Sequence, residues 1–113
     1  MAGAADHRLA VYGTLAPGAP NNSQLDGLAG RWTTGFVCGR LIRAGWGTDL
    51  GFPGLVLDPD GSRVYVDVFE SPDLVDHWTR LDAFEGSGYR RVMALVTTPD
   101  AVVQSWIYVV AAP

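Results

Sequence analysis

The sequence predicts an α+β fold in which a curved sheet or small barrel carries one substantial helix. Three observations lead there. Most apolar residues fall in short runs or in strict alternation, the pattern of strands. One segment, Ser71–Gly86, combines helical spacing with boundary signals at both ends. That helix stands before the last pair of strand-like runs and does not alternate with every strand, which favours α+β over a βαβ architecture. At 113 residues the chain is long enough for a single core, so residues 1–113 read as one domain.

In chain order, "RLAVYG" (Arg8–Gly13) reads as a strand running into a glycine. Thr14–Ser23 is dense in Pro, Gly and Asn and reads as a loop. A short helix begins near Ser23, with Leu25 and Leu28 on one side. Thr34–Gly45 reads as a second strand, and Trp46–Gly54 as a loop that carries Trp46 and Phe52. Leu55–Glu70 reads as a hairpin turning at "DPDG", its return strand alternating Val64, Val66 and Val68 with Tyr65, Asp67 and Phe69. Ser71 is the N-cap of the main helix, Pro72 its first residue and Asp73 part of its first turn. Leu74, Trp78 and Leu81 then form a core-facing stripe. "YRRVMALVTT" and "VVQSWIYVV" are two further strands around the turn "PDA".

Charge narrows the partners. The net charge is −4, and all eight basic residues are arginines scattered along the chain. Phosphate backbones need clustered basic surface, so nucleic acid is not an expected partner. A lone cysteine, Cys38, forms no internal disulfide and no cysteine zinc site, and it reads as core rather than nucleophile. The N-terminal stretch has no signal-peptide pattern, and no apolar run is long enough to span a membrane. The expected setting is therefore cytoplasmic, with no membrane partner.

Two stretches point to chemistry. In "VYGTL" (Val11–Leu15) a strand ends at a glycine, where successive backbone N–H groups can form an anion-binding concavity. The other is "LDAFEG". Four residues beyond Leu81, the next slot of the apolar stripe is filled by Glu85, with Gly86 beside it as a C-cap. The macrodipole disfavours an acid in the last turn of a helix. A carboxylate facing the core loses solvation, so its pKa rises toward the value a general base needs. The alternative is a frayed last turn, with Glu85 in water or paired with Arg90 or Arg91.

The ordered set "YGTL", "LDAFEG", "YRR" and "WIYVV" resembles the gamma-glutamylcyclotransferase-like family, in its gamma-glutamylamine cyclotransferase and AIG2-like branch, from Leu9 to Val110. The resemblance implies a compact mixed barrel of about five to seven strands, with the main helix and a short helix packed outside and a pocket at one end. It implies a catalytic Glu85 and a substrate cradle at Tyr12, Gly13, Thr14 and Leu15. Tyr89 and Tyr108 match the family's pocket tyrosines more loosely. It also implies a reaction, in which a gamma-glutamyl amine, amino acid or peptide is cleaved by attack of its own alpha-amine, releasing 5-oxoproline. The partner is then a small gamma-glutamyl compound, and neither metal nor cofactor is required.

The chain departs from the family after "YGTL", where "APGAPNN" replaces the basic residues many relatives carry; Asn21 or Asn22 keeps the polar element. Two other readings stand beside the enzyme. One is a small-anion-binding module on the same barrel. The other is a protein-interaction domain using the Trp46–Phe52 loop. His7 and His77 lack partners at metal-ligand spacing, and Trp78 and Trp106 read as core.

Overall fold

The computed structural model describes residues 4–12, 17–18, 22–43 and 53–111. Six strands are present among them: β1 (Arg8–Val11), β2 (Arg31–Arg43), β3 (Pro53–Leu57), β4 (Ser62–Glu70), β5 (Tyr89–Thr97) and β6 (Val102–Val110). One α-helix, α1 (Trp78–Glu85), lies between β4 and β5. The strand order is β3-β2-β4-β1-β6-β5, and β2 also pairs with β5. Five strands therefore close into a barrel, with β3 added to β2. The β1–β6 pair is parallel and the others are antiparallel, which makes the barrel mixed. Its seam is the pairing of Phe36 with Thr97. A side chain at neighbouring Gly35 would place its Cβ 2.7 Å from the Thr97 carbonyl oxygen, so the strands approach this closely only at a glycine.

Burial falls into two layers. The barrel interior is filled mainly by small and β-branched residues, among them Ala10, Val37, Val66, Val96 and Ile107. The second layer packs the outside of the barrel against the helical segments through Leu9, Val11, Phe69, Leu74, Leu81 and Tyr108. β1 and β6 contribute to both layers, Ala10 and Ile107 pointing in, Leu9 and Tyr108 pointing out. That is why "LAV" and "IYVV" are continuously apolar, whereas β4 alternates until Phe69 meets the outer layer.

The main helix starts where the capping residues indicate, but in two pieces. The Ser71 Oγ accepts from the Asp73 N–H at 3.1 Å, and Ser71 has an extended backbone (φ −156°, ψ 132°). Residues Pro72–Asp76 form a 3-10 turn closed by the i→i+3 bonds Leu74 N–H to Ser71 O and His77 N–H to Leu74 O. α1 begins only at Trp78. Leu74 and Leu81 remain fully buried across the break. The short helix expected near Ser23 is likewise a single 3-10 turn, Asn22–Leu25, whose Leu25 is buried with Leu28 packed beside it. Ser71→Ala should cost about 1 kcal/mol, the usual worth of an N-cap, measured by urea denaturation.

Two strand expectations are corrected. β2 starts at Arg31, three residues before Thr34, because Arg31 to Thr33 pair with Glu70 to Val68. The segment around "DPDG" is no hairpin. β3 pairs with the later half of β2, from Gly39–Leu57 to Arg43–Pro53. β4 pairs with its earlier half, from Gly39–Ser62 to Arg31–Glu70. Both run antiparallel to β2 and so run the same way. The turn is real, with the Asp60 N–H on the Asp58 carboxylate at 2.9 Å, but it joins two partners of β2.

At the end of the barrel where β1 begins, Glu70 bridges Arg8 (3.0 Å) and Arg31 (2.8 Å), tying β4 to both neighbours. Among the described residues no helix is long and apolar enough to cross a membrane.

Candidate active site

Glu85 is the last residue of α1. Gly86 follows with φ 82°, a left-handed conformation that glycine adopts readily, and its N–H caps the Asp82 carbonyl at 3.1 Å. The stripe that buries Leu74 and Leu81 carries Glu85 toward the same packed layer, where it is half-buried. Burial pushes its carboxyl from 4.5 up to about 7. The helix stays wound through Glu85, so a frayed last turn does not describe it.

The charge of Glu85 reaches three tyrosines. Tyr12 lies directly after β1, Tyr89 opens β5 and Tyr108 lies near the end of β6. Burial raises the pKa of all three phenols, and the charge of Glu85 raises each further. For Tyr12 the Leu55 N–H acts in the opposite direction, and Tyr89 adds to the rise. For Tyr108 the hydrogen bond to Asp82 adds to it. At neutral pH the phenols keep their protons. They can wall a site or donate hydrogen bonds, whereas Glu85 can exchange a proton. The fold thus brings Tyr12 within reach of the Glu85 charge from a distant part of the sequence.

The Tyr12 hydroxyl is already engaged. It donates to the Tyr108 carbonyl at 2.6 Å and accepts from the Leu55 N–H at 3.1 Å. Tyr12 therefore fastens the end of β1 to β6 and β3. Gly13, Thr14 and Leu15 lie outside the described residues, as do Asn21 and the Trp46–Phe52 loop.

A charged cluster that sequence reasoning missed adjoins these tyrosines. The Asp82 carboxylate accepts from the Tyr108 hydroxyl at 2.8 Å, and from Arg91 Nε and Nη2 at 2.8 and 3.2 Å. Desolvation works against the Asp82 charge, but the bonds from Arg91 and Tyr108 win and hold its carboxyl below the usual range. The Arg91 guanidinium stacks 4.4 Å from the ring centres of both Trp78 and Trp106. Asp6 accepts both indole N–H groups, that of Trp78 on its carbonyl at 3.2 Å and that of Trp106 on its carboxylate at 2.8 Å. A cleft of about 320 Å³ opens here, lined by Asp82, Tyr89, Arg90, Arg91, Trp106 and Tyr108. Tyr89 and Tyr108 thus line the cleft, and the charge of Glu85 reaches both. The available signal was the Asp three residues before Glu85 and the paired arginines of "YRR".

Comparisons with known proteins agree with this fold. The family model described as gamma-glutamyl cyclotransferase, AIG2-like, matches residues 9–113. An AIG2-like protein of Mus musculus is 27% identical, with a TM-score of 0.73, over 95% of this chain and 80% of its own. YkqA of Bacillus subtilis is also 27% identical, with a TM-score of 0.71, over 92% of this chain but only 35% of its own length. A protein of Arabidopsis thaliana solved in solution is 25% identical, with a TM-score of 0.67, over 95% of this chain and 72% of its own. None of the curated proteins gives a significant match.

Proposed function

The chain belongs to the gamma-glutamyl cyclotransferase, AIG2-like family, and on that footing we propose that it cleaves a small gamma-glutamyl amine, amino acid or peptide to 5-oxoproline and the free amine. The observation that carries this reading is Glu85, half-buried at the end of α1 with its carboxyl raised to about 7 and its charge reaching Tyr12. A pocket built only to hold an anion would be harmed by such a carboxylate.

The substrate's alpha-amine is an ammonium at neutral pH and cannot attack until it is deprotonated. Glu85 takes that proton, and the freed nitrogen attacks the gamma-carbonyl carbon. The new ring C–N bond forms as the amide C–N bond breaks. Glu85 returns its proton to the departing nitrogen. The ring nitrogen sheds its surplus proton to solvent, and the released amine takes one up. The reaction is intramolecular, consumes no water and needs no metal or cofactor. The protein's main contribution is to hold the chain of the substrate bent, which is worth several kcal/mol. In this proposal the backbone N–H groups of Gly13, Thr14 and Leu15 hold the substrate carboxylate or the developing oxyanion. Tyr12 fixes the start of that turn, and Tyr89 and Tyr108 wall the pocket.

The test is to incubate the purified protein with a panel of gamma-glutamyl amines, amino acids and peptides in ¹⁸O-water, and to follow products by mass spectrometry. We expect unlabelled 5-oxoproline in equal amount to the released amine. Labelled glutamate would indicate hydrolysis instead. Binding without product from every compound would leave a small-anion-binding module.

A further inference from the structure

Two acids, Asp82 and Glu85, stand in the last turn of α1, and that turn contains no basic residue. The helix has only eight residues. Short helices are marginal without tertiary contacts, and acids at the C-terminal end oppose the macrodipole. Left to itself such a turn tends to fray. Leu81 anchors the helix by burial, and a polar hold within the last turn would oppose fraying there.

The Asp82 side chain supplies one. It receives a fork from Arg91 on β5 and a bond from the Tyr108 hydroxyl on β6. An exposed ion pair usually contributes little, because two flexible side chains must be ordered to make it. Here Arg91 is held in place against Trp78 and Trp106, whose indoles are tied to Asp6. Tyr108 has a second attachment, its backbone carbonyl accepting the Tyr12 hydroxyl at 2.6 Å. One residue of β6 is therefore fastened to the helix through its side chain and to Tyr12 through its backbone.

We infer that Asp82 is a positioning residue: by grasping Tyr108 and Arg91 together it fixes the last turn of α1, and so keeps Glu85 in its half-buried place. The inference rests on the reading of Glu85 as the base, but its test has an arm that does not need turnover.

Three variants separate the effects. Tyr108→Phe deletes the bond to Asp82 and leaves every charge in place. Asp82→Asn keeps an acceptor for Tyr108 but weakens the fork with Arg91. Arg8→Gln is the control, since it removes an ion pair to Glu70 at the opposite end of β1. The readouts are kcat and KM for 5-oxoproline release, Tm, and the titration of the Glu85 carboxyl by ¹³C NMR in the substrate-free protein. Facing Glu85 are Tyr12, Tyr89 and Tyr108, whose raised pKa values keep them protonated across the titration.

For Tyr108→Phe we expect kcat to fall about 10- to 100-fold, the scale of a misplacement near 1 Å, while KM stays within about twofold. The Glu85 titration should move from about 7 toward the ordinary 4.5 as the carboxylate gains water. That movement cannot come from a lost charge. Asp82→Asn should show the same two changes, and the double variant should be scarcely worse than either single one. Arg8→Gln should lower Tm without changing kcat or the titration.

An unshifted titration in both site variants overturns the inference, as does a kcat loss no greater than that of the control at equal loss of Tm. A raised KM with unchanged kcat would make Tyr108 a substrate contact and likewise overturn it. Should the parent release no 5-oxoproline, the base reading falls, and the titration alone decides whether Asp82 positions Glu85.

Discussion

Glu85→Gln should lower the rate of 5-oxoproline release by about 10²–10⁴, the usual worth of general acid–base catalysis. Glutamine keeps the shape and hydrogen-bonding capacity of the side chain but cannot take the ammonium proton, so KM should hardly change. In the parent, the rate should rise with pH through about 7 as the Glu85 carboxyl ionises. The variant should lack that limb. Stability should move the other way. Because the folded pKa lies above the ordinary 4.5, the native protein holds this proton more tightly than the unfolded chain does. The stabilisation from protonated Glu85 is fully present below pH 4.5 and is lost as pH rises through about 7. Glutamine does not titrate, so its stability advantage should be larger at pH 8 than at pH 5, by at most roughly 3 kcal/mol. Steady-state kinetics and melting curves at the two pH values check both halves. A fully active glutamine variant would leave Glu85 with no catalytic role.

Leu81→Ala should be the most damaging single truncation on α1, at about 2–5 kcal/mol by urea denaturation. Leu81 is fully buried in the layer between helix and barrel, beside Leu9, Phe69 and Tyr108. Alanine loses the transfer energy of the missing carbons and leaves a cavity that a closed barrel wall cannot collapse to fill. Val75, at 40% exposure on the preceding turn, is the comparison: Val75→Ala should stay within about half a kcal/mol of the parent. Equal losses at the two positions would mean that the stripe does not anchor the helix.

Glu85 stood out in the sequence because two local rules conflict there. The apolar stripe from Leu74 to Leu81 calls for another apolar residue, and the end of a helix disfavours an acid, yet an acid stands at that slot. Such conflicts are legible without knowing any partner. β5 and β6 were legible for a related reason, since a tight turn joins neighbours that pair along their whole length. The strands around "DPDG" were misread because turn chemistry is local and the choice of strand partner is not. The residues that make the turn are there, but β2, from earlier in the chain, takes both flanking strands. Asp82 escaped notice for the same reason. An aspartate next to the core stripe ordinarily faces water, and its partners Arg91 and Tyr108 come from two later strands. The cradle expected at Gly13, Thr14 and Leu15 lies outside the described residues, so the site is supported from the Tyr12 and Glu85 sides alone.

The position of β1 between β4 and β6 bears on how the protein is made. β1 emerges first of the six strands, yet one of its edges pairs with the last to be synthesised, Leu9 and Ala10 meeting Trp106 and Ile107. Until then that edge is an open template for other chains. Pairings so distant in sequence carry a high loop-closure cost and slow folding to the millisecond-to-second range of barrels. Tyr12 finds the carbonyl it holds, that of Tyr108, only after β6 has left the ribosome. A chain cut short before β6 would carry Glu85 and Tyr12 with nothing to register them. The site proposed around Glu85 can therefore be completed only once β6 is in place, and chains truncated before it are expected to release no 5-oxoproline.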